Sequence, residues 1–186
     1  MNLFKKLIAR PEQPIKEYGN MQFRIGFRYP YSWEVVKENV SAGGWDIPVQ
    51  VGLYEHDAVA GAVTVNIRTH PKVSKYRDLM ASGQLSKMSE VYIVESTEDI
   101  LRQMDEQNSR DLPNYKRLIA EEILLAGVKA GRTVYSYDSG GTRVVEQVVT
   151  AVHDLKEHQI ICEAAERRWQ EFEPQFDIIL RTYSVG

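Results

Sequence analysis

Residues 138–154 read DSGGTRVVEQVVTAVHD, and this stretch gives the strongest indication of the fold. Asp138 to Gly141 is a hairpin turn signal, because consecutive glycines accept the positive φ angles of a tight turn. Apolar residues then occupy both odd and even positions, which predicts a strand covered on both faces. They are Val144, Val145, Val148, Val149 and Val152. The stretch therefore predicts a central strand with layers above and below it.

The segments around this hairpin extend the sheet and end in a helix. Residues 115–125 and 129–137 precede the turn and have the composition of strands. A second turn is predicted at Lys156-Glu157, followed by a strand over residues 159–164. Residues 167–183 carry aromatic and aliphatic side chains at spacings of three and four, which predicts an amphipathic helix that includes Pro174.

The N-terminal half of the chain contributes more strands and then two helices. Strands are predicted over residues 21–29, 33–37, 47–54 and 59–68, and helices over residues 73–80 and from Ser96 or Thr97 to just before Pro113. Strands, then helices, then strands again favour the α+β class. We predict a mostly antiparallel central sheet of about six or seven strands with helices on both faces.

The N-terminal segment differs in composition from the rest of the chain. Residues 1–19 are predicted to be an N-terminal amphipathic segment and a polar linker, and residues 20–186 a single domain. Membrane association is expected only through residues 1–10, since no run approaches the ~20 apolar residues of a membrane span. The apolar run Leu7-Ile8-Ala9 is shorter than the ~7–15 residues of a secretory signal. With Cys162 as the single cysteine, the chain is predicted to be cytoplasmic.

Charge and motifs exclude several functional classes. The formal net charge of −3 supplies no basic field for a phosphate backbone, so no nucleic-acid partner is expected. No phosphate-binding glycine loop, nucleophile elbow or HExxH helix is present, and no cofactor is predicted. Glu121 and Glu122 are adjacent carboxylates, but adjacent strand residues point to opposite faces. A solvated edge position is therefore the better interpretation of this pair.

Three further residues have the types that carry chemistry. His153 and His158 flank a predicted turn, and with a neighbouring carboxylate they could hold a divalent metal. Two histidines at a surface turn are more often simply solvated, so no metal site is predicted. Cys162 could act as a nucleophile, but its apolar neighbours favour a buried structural cysteine.

Three motifs in order resemble those of the PsbP-like (Mog-like) family. The first is FRYPYSW at residues 27–33, the second is LLAGVKAGR at 124–132, and the third is HQIICEAA at 158–165 with the aromatic helix that follows. The resemblance covers roughly residues 21–185 and implies an α/β/α sandwich. Members of that family are mostly non-enzymatic, and include photosystem subunits, a nuclear-transport factor that binds Ran, and bacterial chaperone-like or envelope proteins. The resemblance implies no catalytic residues.

Tyr31 and Trp45 are the predicted binding residues. They belong to loop-rich stretches, and Tyr and Trp are favoured at interfaces because they combine apolar area with a polar group. The nearby Tyr29 and Trp33 fit better as core residues under the terminal helix. We therefore predict a non-catalytic protein-binding module, adaptor or chaperone-like, with an unidentified protein partner. The alternative is a small-ligand or lipid-binding protein with a pocket between sheet and helices.

Overall fold

A computed structural model of the chain describes residues 14–55, 58–70, 73–84 and 97–186. Its strands are β1 Ile15–Asn20, β2 Ile25–Pro30, β3 Glu34–Ala42, β4 Trp45–Glu55, β5 Ala58–Thr69, β6 Lys116–Leu125, β7 Val128–Ser139, β8 Thr142–His153, β9 Lys156–Ala165 and β10 Ser184–Val185. Its helices are α1 Val73–Ala81, α2 Thr97–Asp111 and α3 Trp169–Thr182, and a 3-10 turn at Glu166–Arg168 precedes α3. The predicted amphipathic segment, residues 1–10, lies outside the described residues.

The described strands form two antiparallel sheets. The larger has seven strands in the order β3-β4-β5-β9-β8-β7-β6, and the smaller has three in the order β1-β2-β10. The predicted, mostly antiparallel sheet is therefore confirmed. Strand β8 lies inside the larger sheet, and its five valines are each no more than 9% exposed, as their occupation of both faces predicts.

The main core lies between the larger sheet and α3. Phe172, Phe176 and Ile179 of α3 are almost fully buried. Trp33 packs edge-on against both phenylalanines, with ring centroids 6.1 and 5.9 Å away, and its indole N–H donates to Gln175 Oε1 at 2.6 Å. The core position expected of Trp33 is thus confirmed, and this contact ties the β2–β3 connection to the terminal helix.

Helix α2 is attached to the larger sheet near its β6 edge. The Tyr115 hydroxyl donates to Asp105 Oδ1 at 2.6 Å, and Arg117 pairs with Asp105 Oδ2 at 2.9 Å. Ile100 packs near Val152 of β8 in a small second apolar cluster. These contacts set α2 beside β6 and β7.

Three local predictions of secondary structure differ from the structure. Residues 21–24 of the strand predicted over residues 21–29 form a turn, and β2 begins only at Ile25. Strand β1 begins at Ile15, inside the segment interpreted as a linker, because its backbone pairs with β2. The turn predicted at Lys156-Glu157 is wrong: Asp154 and Leu155 carry the positive φ angles of 48° and 63°, and β9 already begins at Lys156. Asp tolerates the left-handed region, so the tight turn forms two residues earlier than expected.

Candidate functional site

Strand β6 forms one edge of the larger sheet, and most of its residues are exposed. Residues 116–122 are all exposed, and within the described residues β6 pairs only with β7. Leu118 is 47% exposed and Leu124 is 72% exposed. An edge strand presents a row of backbone N–H and C=O groups that can pair with another chain. Exposed leucines on such a strand add apolar area to that capacity.

A bulge shapes the surface of β6. The register with β7 shifts between Arg117 and Ile119, so that the strand holds one extra residue there. As a result, Arg117 and Leu118 both face the side on which Ala120 and Glu122 also lie. Ile119, in contrast, pairs with Val134 on the opposite side.

An open groove of about 800 Å³ runs between β6 and α2. Its apolar lining comes from Leu101 of α2 and from Leu118 and Ala120 of β6. Charged side chains of both signs flank this lining: Glu98, Arg102, Arg117 and Glu122. The groove therefore offers an apolar floor beside the strand edge, with charged groups on both walls.

The two carboxylates of β6 are exposed, and each forms an ion pair with a residue of β7. Glu121 pairs with Arg132 at 2.6 Å and Glu122 with Lys129 at 2.9 Å. Their exposed position on an edge strand confirms the interpretation of this pair. The Glu122–Lys129 pair is exposed on both sides, and such pairs contribute only about 0–1 kcal/mol. Arg132 is half-buried and also donates to Gln147 Oε1, so the Glu121–Arg132 pair is held more firmly.

Trp45 borders a second cavity, a cleft of about 490 Å³ over the centre of the larger sheet. It is the first residue of β4, and the Arg68 guanidinium lies 4.0 Å from its ring centroid. Arg68 also pairs with Glu157 at 2.8 Å. The remaining lining residues include Ile100, Gln103, Met104 and Gln107 of α2 with Thr150, Val152 and Gln159 of the sheet.

Tyr31 lies at a different place from Trp45. It is 62% exposed, and Lys16 Nζ lies 4.8 Å from its ring centroid. Tyr31 precedes β3 and Trp45 follows it, and a nine-residue strand spans roughly 30 Å. The two predicted binding residues therefore belong to separate surfaces, and Tyr31 lines neither the groove nor the cleft.

His158 is not the solvated residue that its position near a turn predicts. It is 2% exposed, and its Nδ1 lies 2.8 Å from the hydroxyl of Tyr183, the residue that follows α3. Burial lowers the pKa of His158 to about 4, so the ring is neutral at physiological pH. Its ring centroid is 6.3 Å from that of His153. Among the described residues, no group of three His, Cys, Asp or Glu side chains is arranged to hold a metal ion.

Cys162 is fully buried in β9, which confirms its interpretation as a core residue. Burial raises the pKa of its thiol, so it is held as the unreactive protonated form.

A cluster of tyrosines and carboxylates on β7, β8 and β9 was missed by sequence reasoning. The hydroxyls of Tyr135 and Tyr137 both donate to Glu146, and Glu163 stands opposite Glu146 across β8 and β9. Partial burial raises the pKa of both carboxyl groups. The hairpin register was the available signal, since a two-residue turn at Gly140-Gly141 places Tyr135 opposite Glu146.

Within the described residues, no helix combines the length and the apolar composition that crossing a bilayer requires.

Comparisons with known proteins find the fold through structure rather than sequence. No family model matches the sequence, and no curated protein matches it. Cyanobacterial PsbP (CyanoP) from Synechocystis is similar over 92% of each chain, with a TM-score of 0.57 at 16% identity. LpqN, involved in cell envelope biogenesis of Mycobacterium tuberculosis, has a TM-score of 0.57 at 12% identity, covering 95% of this chain and 87% of LpqN. The Saccharomyces cerevisiae Ran-binding protein Mog1p has a TM-score of 0.51 at 8% identity, covering 93% and 96%. The chain therefore has the PsbP/Mog-like fold that its opening and closing motifs resemble.

Proposed function

We propose that this chain is a non-catalytic protein-binding module, adaptor or chaperone-like, that binds an extended segment of a protein partner along β6. The observation that carries this proposal is the exposure of residues 116–122 on a sheet edge beside an open groove that presents both apolar and charged side chains. A strand added to such an edge gains backbone hydrogen bonds, each worth about 1 kcal/mol net. Side chains on one face of that strand would contact Leu101 and Leu118.

Two further observations support a binding role over a catalytic one. Mog1p, which has the same fold, is a Ran-binding protein, so protein binding has a precedent on this fold. The thiol of Cys162 and the imidazole of His158 are both buried within the described core, where a substrate cannot reach them. A single cysteine, buried in the described core, fits a reducing compartment, and we propose a cytoplasmic location on this ground.

The full α/β/α arrangement is part of the proposal. Phe172 of α3 lies against Gly61 of β5 on one face of the larger sheet. Met104 of α2 lines the cleft together with Thr150 and Gln159, whose side chains alternate with those of the buried core face. This alternation supports helices on both faces of the sheet.

A second candidate function is the binding of a small ligand in the cleft at Trp45. Its volume of about 490 Å³ lies in the ~300–1,000 Å³ range of small-molecule sites. Trp45 and Met104 supply apolar surface, and Gln103, Gln107 and Gln159 supply amide groups. Native mass spectrometry of the purified chain tests this function: a bound small molecule that is absent from Trp45→Ala supports it, and the bare mass alone contradicts it.

The protein-binding function is tested by affinity enrichment from the native lysate with two double variants. Leu118→Lys/Leu124→Lys alters β6, and Tyr31→Ala/Trp45→Ala alters the two other predicted binding residues. All four positions are partly or largely exposed, so circular dichroism should show both variants folded. A partner kept by the wild type and by Tyr31→Ala/Trp45→Ala, but lost from Leu118→Lys/Leu124→Lys, supports binding along β6. Loss only from Tyr31→Ala/Trp45→Ala, or loss from neither variant, contradicts binding along β6.

A further inference from the structure

Strand β6 carries its charges in two separate blocks of opposite sign. Lys116 and Arg117 open the strand, and Glu121 and Glu122 follow only after the uncharged residues 118–120. Edge strands that avoid pairing usually carry charges that repel a second copy of themselves. The order on β6 has the opposite consequence, which depends on the direction in which another β6 approaches.

An antiparallel second β6 brings its acidic block to the basic block of the first. In a parallel arrangement, each block would meet its own like charges, which is destabilising. Antiparallel pairing of identical strands also generates a closed two-fold dimer in which both copies use the same surface. The charge order therefore selects the one pairing direction that gives a symmetric dimer.

The bulge makes this pairing consistent on each face of the sheet. With a two-fold axis perpendicular to the sheet at Ile119, the core face of one copy and the core face of the other lie on the same side of the joined sheet. Lys116 pairs with Ser136 and Glu121 with Arg132, which places both on the core face. Because Arg117 and Leu118 together occupy one position of the register, Lys116 then falls opposite Glu121 of the second copy.

The groove face is complementary in the same arrangement. Arg117 and Glu122 both line the groove, and they become diagonal neighbours across the two strands. The exposed side chain of Leu118 meets Ala120 of the second copy, and Leu101 of α2 lies beside this contact. Burial of these apolar groups adds a hydrophobic contribution of about 25 cal/mol per Å².

The opposite edge strand, β3, is also largely exposed, but it differs from β6 in its contacts and in the order of its charges. On β3, Glu38 accepts a hydrogen bond from the Tyr18 hydroxyl at 3.0 Å, and Asn39 Oδ1 accepts one from Asn20 Nδ2 at 3.1 Å. Side chains of β1 therefore already contact side chains of this edge strand. The charges of β3 alternate as Glu34, Lys37 and Glu38 and form no blocks.

We propose that the segment bound along β6 is β6 of a second copy of this chain, in an antiparallel two-fold dimer centred on Ile119. The inference rests on the proposed function of β6 as a binding edge and names the partner. The two larger sheets then join into one continuous sheet. In this dimer, Lys116, which forms no ion pair within the described part of the chain, acquires an acidic neighbour.

Charge reversal on β6 tests the dimer. Glu121→Lys/Glu122→Lys makes both blocks basic, and Lys116→Glu/Arg117→Glu makes both acidic. Each variant alone opposes like charges, and we expect its dimer dissociation constant to rise by about 100-fold. Glu34→Lys/Glu173→Lys is the matched control for the basic variant, because it changes two exposed carboxylates outside β6 by the same total charge.

The measurement is sedimentation velocity of the full chain over a concentration series, with native mass spectrometry of the mixture. We expect the wild type and the control to form dimers of twice the 21.4 kDa mass of the chain, and each β6 variant alone to remain monomeric. An equimolar mixture of the two β6 variants should restore a dimer that contains one copy of each, which also shows that both are folded.

A wild type that stays monomeric, or β6 variants that still self-associate, overturns the dimer. The lysate enrichment distinguishes this failure from that of the proposed function. A monomeric wild type that retains a different, β6-dependent protein leaves β6 as a binding edge with another occupant. A monomeric wild type without such a partner refutes both.

Discussion

Replacing Gly61 by alanine is expected to destabilise the protein through a single contact. Gly61 lies in β5 beneath α3, and a methyl group there would sit 2.7, 2.8 and 2.9 Å from three ring carbons of Phe172. Carbon atoms pack at about 3.5–4.0 Å, so the ring would have to move away from β5 by about 1 Å. Phe172 is fully buried between Trp33 and Phe176, with both ring centroids 6.1 Å away, so a shift of its ring would disturb these two contacts.

The expected magnitude combines two opposing effects. Overpacking of a close-packed core costs about 1–3 kcal/mol. Alanine also restricts the unfolded chain more than glycine does, which offsets about 0.4–1 kcal/mol of that cost. We therefore expect Gly61→Ala to lower the free energy of unfolding by about 1–2 kcal/mol.

Urea unfolding followed by circular dichroism measures this change. Gly19→Ala is the matched control, because a methyl group at Gly19 of β1 meets no atom within 4 Å. It carries only the effect on the unfolded chain, so it should be as stable as the wild type or more stable by up to about 1 kcal/mol. Phe172→Leu replaces the opposing ring by a smaller side chain. Gly61→Ala should therefore lower the free energy of unfolding by less in that background than in the wild type. Equal stability of Gly61→Ala and Gly19→Ala, or additive costs in the double variant, would refute the packing of α3 on β5.

Three other predictions follow from buried polar groups. Because burial lowers the pKa of His158 to about 4, the unfolded chain takes up this proton first, and stability should fall between pH 6.5 and 4, by about 2 kcal/mol at pH 5. Urea midpoints at pH 7 and pH 5 should show a smaller loss of stability in His158→Gln than in the wild type, and an equal loss contradicts this assignment. The raised carboxyl pKa values of Glu146 and Glu163 favour the folded state as the pH falls, and they do so in both proteins. Cys162 should react with a thiol reagent only as the chain unfolds in urea, and rapid labelling of the native protein would contradict its burial. Tyr135→Phe should lower the free energy of unfolding by about 1–3 kcal/mol in the same assay, because Glu146 loses a buried hydrogen-bond donor, and an unchanged stability would contradict that bond.

Local sequence patterns predict much of the larger sheet and its helices. The valines of residues 144–152 indicate a strand covered on both faces, and the structure buries them. Gly140-Gly141 marks the hairpin turn, and both residues have positive φ angles, 56° and 80°. These signals succeed because turn geometry and strand periodicity depend on neighbouring residues.

Features that depend on distant contacts were not predicted. The smaller sheet forms because β2 pairs with β10 at the far end of the chain, and nothing local to Ile15–Asn20 marks β1 as its third strand. His158 is buried because Tyr183 reaches it from the end of α3, 25 residues later. The edge position of β6 follows from the strand order, so the significance of its two charge blocks becomes visible only in the fold.

Site-specific photo-crosslinking tests the central claim, that β6 is a protein-binding edge. A photoreactive phenylalanine analogue is introduced at Leu118 of β6 and, as control, at Met21, which is 94% exposed in the turn between β1 and β2. After irradiation of cells that express each variant, covalent products are separated and identified by mass spectrometry. We expect a defined protein adduct, a second copy or another protein, from position 118 and none from position 21. No adduct from position 118, or the same adduct from both positions, would contradict it.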